Sequence, residues 1–240
     1  MSILLILGIV MTEPFNLAAP AGFVGFDEQQ PVGFYQRHLP HWRQKGASYA
    51  VTFRLLDALP QTKLQELKRH RERWEIANPV PRDETQWKTF AQQVTTMTER
   101  WMDKGYGACH FQNEIATLAA DALRFYETTK CRVPCFTVMP NHIHAVMIPR
   151  DGFELEQILQ AVKGWIARQI NLKSDPPTQK QGDGLWAQES YDRIIRDEEH
   201  LFRVVQYIGR NGKTAGLKSS QYLRWISQEW RDAGWGFRDE

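Results

Sequence analysis

Two histidines flank a single isoleucine in MPNHIHAVMI, residues 139–148. Both lie in an apolar run, and a buried imidazole is costly unless its nitrogens are satisfied. In an extended strand alternate side chains share a face. His142 and His144 therefore point one way and Ile143 the other. Two imidazoles on one rigid face make half of a divalent-metal site. Two hydrogen-bonded core histidines would leave the same trace. A third ligand and a reactive group would separate the two readings.

The segment DEEHLFRVVQYIGRN, residues 197–211, offers both. At about 100° per residue, Leu201, Val204, Val205 and Ile208 form a buried helical stripe. Tyr207 and Asn211 are four apart, share one face and border that stripe. Asn211 can present a carbonyl oxygen to a hard cation. Tyr207 can present a phenol, although an aromatic flanking the core is the commoner fate of a tyrosine.

The elements that must position these residues follow from periodicity. Ser48 to Leu55 alternates and is rich in aromatic and β-branched residues, so it predicts a strand. Gln61–Ile76, Glu84–Met102 and Asn113–Tyr126 carry helical stripes. Pro79 and Pro81 separate the first two, and the GYG at 105–107 ends the second. Arg132–Met139 and His142–Ile148 read as two strands joined by a tight Pro140-Asn141 turn, a hairpin. A helix over Phe153–Leu172, a structureless loop over 174–184 and a short strand over Tyr191–Arg196 come next. Asp197 caps the last strong helix, which runs to Asn211 with Gly212 at its C-terminal end. This order predicts an α+β fold: an antiparallel sheet with helices on one face, of the ferredoxin-like kind.

Composition sets outer bounds. The 240 residues are 42% apolar and carry a net charge of +2, enough for a real core and too little charge for a strongly basic DNA binder. Cys109, Cys131 and Cys135 are an odd set without further zinc-spaced ligands, so they read as core cysteines in a reducing compartment. The apolar run Ile3–Val10 is too short to span a bilayer and lacks a secretory cleavage site. The expected chain is cytoplasmic and makes no membrane contact. Residues 1–30 are expected to be a disordered leader, 31–220 a single catalytic domain with a helical insertion over 80–105, and 221–240 an aromatic tail.

Several segments together resemble the REP-associated tyrosine transposases, a branch of the single-tyrosine HUH (His-hydrophobic-His) nucleases and transposases. They are RHLPHWRQKGASYAVTFRLLDALP (37–60), VMPNHIHAVMIP (138–149), VKGWIARQIN (162–171) and LWAQESYDRIIRDEEHLFRVVQYIGRNGKTAGL (185–217). The resemblance implies an HUH fold in which His142, His144 and Asn211 ligate Mg2+ or Mn2+ and Tyr207 is the nucleophile. Tyr191 would have no chemical role. The implied substrate is single-stranded hairpin DNA, cut to leave a 5′-phosphotyrosine and a free 3′-hydroxyl, by a monomer or a homodimer. Asn211-Gly212 departs from the family's usual Asn-Pro, and Ala187 stands where glutamine is common.

DNA holding is expected from basic residues interleaved with aromatics. Arg37, His41, Arg43 and Lys45 cluster beside Tyr35 and Trp42, a pattern suited to stacking bases and drawing in a phosphate backbone. Lys163, Arg168, Arg193 and Arg196 lie near the catalytic segments in sequence. A solvated surface charge is the commoner role for any one of them. Two other functions compete: a domesticated hairpin-DNA-binding protein with little cleavage, and a metal-dependent hydrolase with no covalent intermediate. The latter has no need of a tyrosine four residues before a ligand.

Overall fold

The structure, a computed structural model, describes residues 15–36, 40–173 and 184–238. In chain order these form β1 (Gly33–Gln36), β2 (Pro40–Arg43), β3 (Tyr49–Arg54), α1 (Gln61–Ala77), α2 (Glu84–Met102), α3 (Asn113–Phe125), β4 (Cys131–Val138), β5 (His142–Pro149), α4 (Leu155–Lys173), β6 (Tyr191–Ile194), α5 (Glu198–Thr214), β7 (Leu223–Ile226) and α6 (Gln228–Asp232). The main sheet is antiparallel throughout, ordered β6-β3-β5-β4-β7, and β1 and β2 pair separately. The fold is α+β. The predicted β4–β5 hairpin closes with the Met139 N–H donating to the His142 carbonyl at 2.9 Å.

Helices cover both faces of this sheet rather than one. Tyr49, Val51 and Phe53 of β3, with Ile143, Ala145 and Met147 of β5, pack under α3 and α4. Their alternates Ala50, Val146 and Ile148 pack under α5 through Leu201, Val204, Val205 and Ile208. The apolar run of β5 reflects this, because a strand buried on both sides loses its alternation. Cys131 and Cys135 are buried core residues, and burial pushes the Cys131 thiol up to about 12.

The helices α1 and α2 pack against each other through Trp74, Trp87, Phe90 and Val94, and this cluster also takes in Trp42 and Tyr191. The helical excursion predicted over 80–105 therefore begins at Gln61. Asp83 and Gln86 form a capping box that fixes the start of α2.

Three further boundaries differ from expectation. Residues 221–240 do not form a separate tail: β7 is an edge strand of the main sheet, and Trp230, Trp235 and Phe237 are buried against α5. Part of the presumed leader is packed too. Phe15, Leu17 and Phe23 lie on the same cluster, and the Trp230 and Trp235 indoles donate to the carbonyls of Ala21 and Ala18. The apolar run 3–10 and all but Gly184 of the loop predicted over 174–184 fall outside the described residues.

The third difference is Gly212, which lies inside α5 and does not end it. The helix closes three residues later in a Schellman motif around Gly216, which has a positive φ. A Cβ on Gly212 would stand 2.4 Å from the Tyr222 ring. The glycine serves a close approach of that ring, not termination. Among the described residues no helix is long and apolar enough to cross a membrane.

Candidate active site

Strand register delivers the histidines. β5 is central, and its pairing with β3 sets His142 opposite Arg54 and His144 opposite Thr52. Both imidazoles project on the α5 side and are 1% and 2% exposed. Each is held through its Nδ1. The Asn141 amide donates its own N–H groups to the carbonyls of Met102 and Tyr106, which turns its oxygen toward His142 Nδ1 at 2.7 Å. An amide oxygen only accepts, so Nδ1 of His142 carries the proton and Nε2 keeps its lone pair. His144 Nδ1 lies 2.7 Å from the Thr52 hydroxyl. The two rings stand 4.7 Å apart and nearly perpendicular.

The helix α5 delivers the other two residues, from a start capped by Asp197, whose carboxylate accepts the His200 N–H. The Tyr207 hydroxyl lies 3.4 Å from His144 Nε2, with the rings edge to face at 5.1 Å. One turn on, Asn211 is 1% exposed, and neither atom of its amide has a hydrogen-bond partner. That amide stands near both His142 and Tyr207 without forming a well-aligned bond to either. The four residues singled out for chemistry thus meet within one chain.

Burial dominates the electrostatics. It pushes His142 down to about 3, opposed by the Asn211 amide. It pushes His144 well below the usual imidazole range, helped by His142 and the Arg193 cation. Both rings are neutral at pH 7, the form that ligates a metal. The Tyr207 phenol is driven well above its ordinary value by burial and then by the carboxylates of Glu99 and Asp103.

These residues fit a divalent cation. His142 Nε2 and Asn211 Oδ1 are buried lone pairs without partners, a deficit that a protein interior tolerates poorly. Two imidazole nitrogens and an amide oxygen suit a hard or borderline ion such as Mg2+ or Mn2+. Among the described residues no cluster of three or more His, Cys, Asp or Glu side chains could hold a metal; this candidate set completes itself with an amide. Asn141 and Thr52 orient the two rings, as outer-shell partners of metal-ligating histidines do. The sequence marks Asn141 only as a turn residue. It marks Thr52 not at all, because strand register is needed to find it.

A cavity of about 510 Å³ opens beside Tyr207 and His144, between α2, β6 and α5. Arg193, Arg196, Tyr191, Trp42 and Glu99 are among the residues that line it. Of the predicted DNA-holding residues, Arg193 and Arg196 therefore line the cavity beside Tyr207. The others among the described residues do not. Arg43 is paired with Asp192 and Glu156 at 2.5 Å each, and His41 is buried with Nδ1 2.8 Å from Asp192. The cluster read as DNA-holding is an internal ion-pair network on the α4 side of the sheet, with these carboxylates already occupying its cations. Lys45 is exposed in a loose pair with Asp151. Lys163 donates to the Ser190 hydroxyl at 2.7 Å, and burial lowers its pKa to about 8. Arg168 is exposed on α4. Arg37 lies outside the described residues. Tyr191 packs with the Trp74 cluster, away from a ligand role.

The family model described as "Transposase IS200 like" matches residues 88–211, more than half of the chain. Among solved structures, a REP-associated tyrosine transposase bound to a REP hairpin is similar at 14% identity, covering 77% of this chain and 74% of that chain with a TM-score of 0.36. No curated protein matches.

Proposed function

Because this chain belongs to the IS200-like transposase family, we propose that it cuts and rejoins single-stranded DNA folded as a hairpin, through a covalent 5′-phosphotyrosine on Tyr207. The single observation that carries this reading is the Tyr207 hydroxyl 3.4 Å from His144 Nε2, beside the buried, unpartnered lone pairs of His142 Nε2 and Asn211 Oδ1. A divalent cation held by His142, His144 and Asn211, Mg2+ or Mn2+, would supply charge neutralisation at the scissile phosphate when bound. Every other part falls to the chain. Tyr207 attacks phosphorus in line and the 3′ oxygen leaves. The phosphate stays esterified to the phenol, so a second strand's 3′-hydroxyl can reverse the step without ATP. Thr52 and Asn141 hold the imidazoles in the ligating tautomer. Arg193 and Arg196, at the cavity, attract the backbone on either side of the break.

The hairpin form rests on the sequence resemblance and on charge. A net +2 gives little general affinity for duplex DNA. The test is adduct trapping: a labelled hairpin oligonucleotide with unpaired flanks, the protein and Mn2+, resolved on a denaturing gel. A slow-migrating covalent band is expected from the parent and from neither Tyr207→Phe nor EDTA-treated protein. Tight hairpin binding without any adduct would favour a domesticated DNA-binding role instead.

A further inference from the structure

The helix α2 turns a carboxylate toward the nucleophile. Its buried stripe is Trp87, Phe90, Val94, Thr98 and Trp101, and Glu99 follows on the flank that faces the cavity. Glu99, Tyr207 and His144 line that cavity together. The hydrogen-bonding neighbour of Glu99 is the Tyr207 phenol, which it approaches without a well-formed bond. Glu99 also makes no ion pair among the described residues, though the Arg193 cation is near enough to act on it. A half-buried carboxylate in this state destabilises the fold. Packing gives no reason for it, since the apolar stripe of α2 is complete without Glu99.

Chemistry gives one. The phenol's present hydrogen-bonding neighbour is His144 Nε2 at 3.4 Å, and in the proposed reaction the lone pair of that nitrogen is committed to the cation. The phenolic proton then needs another place to go. The Thr95 hydroxyl is bonded to the Ala91 carbonyl, and Arg193 is a cation that cannot accept. We propose that Glu99 is the catalytic proton acceptor for Tyr207, an inference that rests on the Tyr207 reading above. As the phenol oxygen bonds to phosphorus, its proton passes to the Glu99 carboxylate. The P–O3′ bond breaks, and the 3′ oxygen takes a proton from water. In rejoining, an incoming 3′-hydroxyl attacks and gives up its proton to water, the P–O bond to Tyr207 breaks, and the departing phenolate recovers its proton from Glu99.

The environment suits the role. Burial raises Glu99 to about 7, with Asp103 adding to the rise and Arg193 and Tyr207 opposing it. A base with a pKa near the working pH transfers protons most effectively. Glu28, Glu84, Lys88, Asp192, Arg196 and His200 line the same cavity and complete the titratable and charged groups around it.

The experiment compares the parent, Glu99→Gln, Glu99→Asp and Tyr207→Phe in single-turnover adduct formation on one flanked hairpin with Mn2+, alongside gel-shift affinity and thermal melting. Glu99→Gln is expected to slow adduct formation about 100-fold while hairpin affinity stays within about threefold. Glu99→Asp, which keeps a carboxylate, should recover part of the rate. Glu99→Gln should also melt above the parent at about pH 8, because it deletes a half-buried charge. That gain should fade as pH falls from about 7 to below 4.5, where Glu99 is protonated in the folded and the unfolded chain alike. Adduct formation by Glu99→Gln within about threefold of the parent overturns the proposal and leaves the Tyr207 reading standing. A Glu99→Gln protein no more stable than the parent at the higher pH overturns the placement. If the parent forms no adduct while binding the hairpin, the Tyr207 reading falls and this inference with it.

Discussion

Thr52→Val replaces one hydroxyl with a methyl of similar size. In the structure that hydroxyl does one thing: it meets His144 Nδ1 at 2.7 Å. Without it, a nitrogen in a ring only 2% exposed loses its partner. Leaving a buried polar atom unsatisfied costs about 1–3 kcal/mol. For a chain of this size each kcal/mol moves the melting temperature by about 2–4 °C, so the metal-free protein should melt roughly 2–12 °C lower. The second effect is on ligation. With Nδ1 unheld, the ring is free to turn and to carry its proton on Nε2, and loss of such an outer partner lowers metal affinity about 10- to 100-fold. Differential scanning fluorimetry in EDTA reads the first effect, and Mn2+ titration calorimetry reads the second. A Thr52→Val protein that melts like the parent and binds Mn2+ as tightly would refute the assignment of Thr52 as the residue that orients His144.

Other perturbations test the surrounding frame. His142→Ala should abolish Mn2+ binding at this site as well as adduct formation, and unchanged calorimetry would restore the core-histidine reading. Gly212→Ala drives a methyl to 2.4 Å from the Tyr222 ring; overpacking of this kind costs about 1–3 kcal/mol, so both melting temperature and cleavage should fall, and parent-like values would show that the ring moves freely. A perfect duplex of the hairpin sequence should be cut poorly, with affinity for the hairpin falling only moderately across a salt series because few phosphates are neutralised. Equal cleavage of duplex and hairpin would contradict the substrate form.

Local spacing carried the candidate site well. Period two put His142 and His144 on one face, and period 3.6 put Tyr207 beside Asn211, because each pair lies within one rigid element. What lies between elements was hidden. Arg43 reads as a free cation until Asp192, 149 residues away, and Glu156, 113 away, are brought to it. Thr52 meets His144 across 92 residues, a contact fixed by register that single-strand alternation cannot specify. Glu99 looks like one more charge on a surface helix until α2 is laid over the sheet. The second helical layer escaped for a related reason. The unbroken apolar run of β5 signals burial on both sides, but short apolar runs are ambiguous by period alone.

Gln206 precedes Tyr207 directly and is 1% exposed. Its amide N–H donates to the Gly236 carbonyl at 3.0 Å, and its amide oxygen accepts the Arg238 N–H at 2.9 Å. Between those two bonds, Phe237 presses on the α5 backbone at Gly209, where a Cβ would stand 2.4 Å from the ring. The far end of the chain is thus mechanically geared to the turn of helix that carries Tyr207. A pull, a fusion partner or a bound protein at residues 236–238 therefore acts one peptide unit from Tyr207. The rear of α5, and not only the cavity in front of it, fixes where that side chain stands.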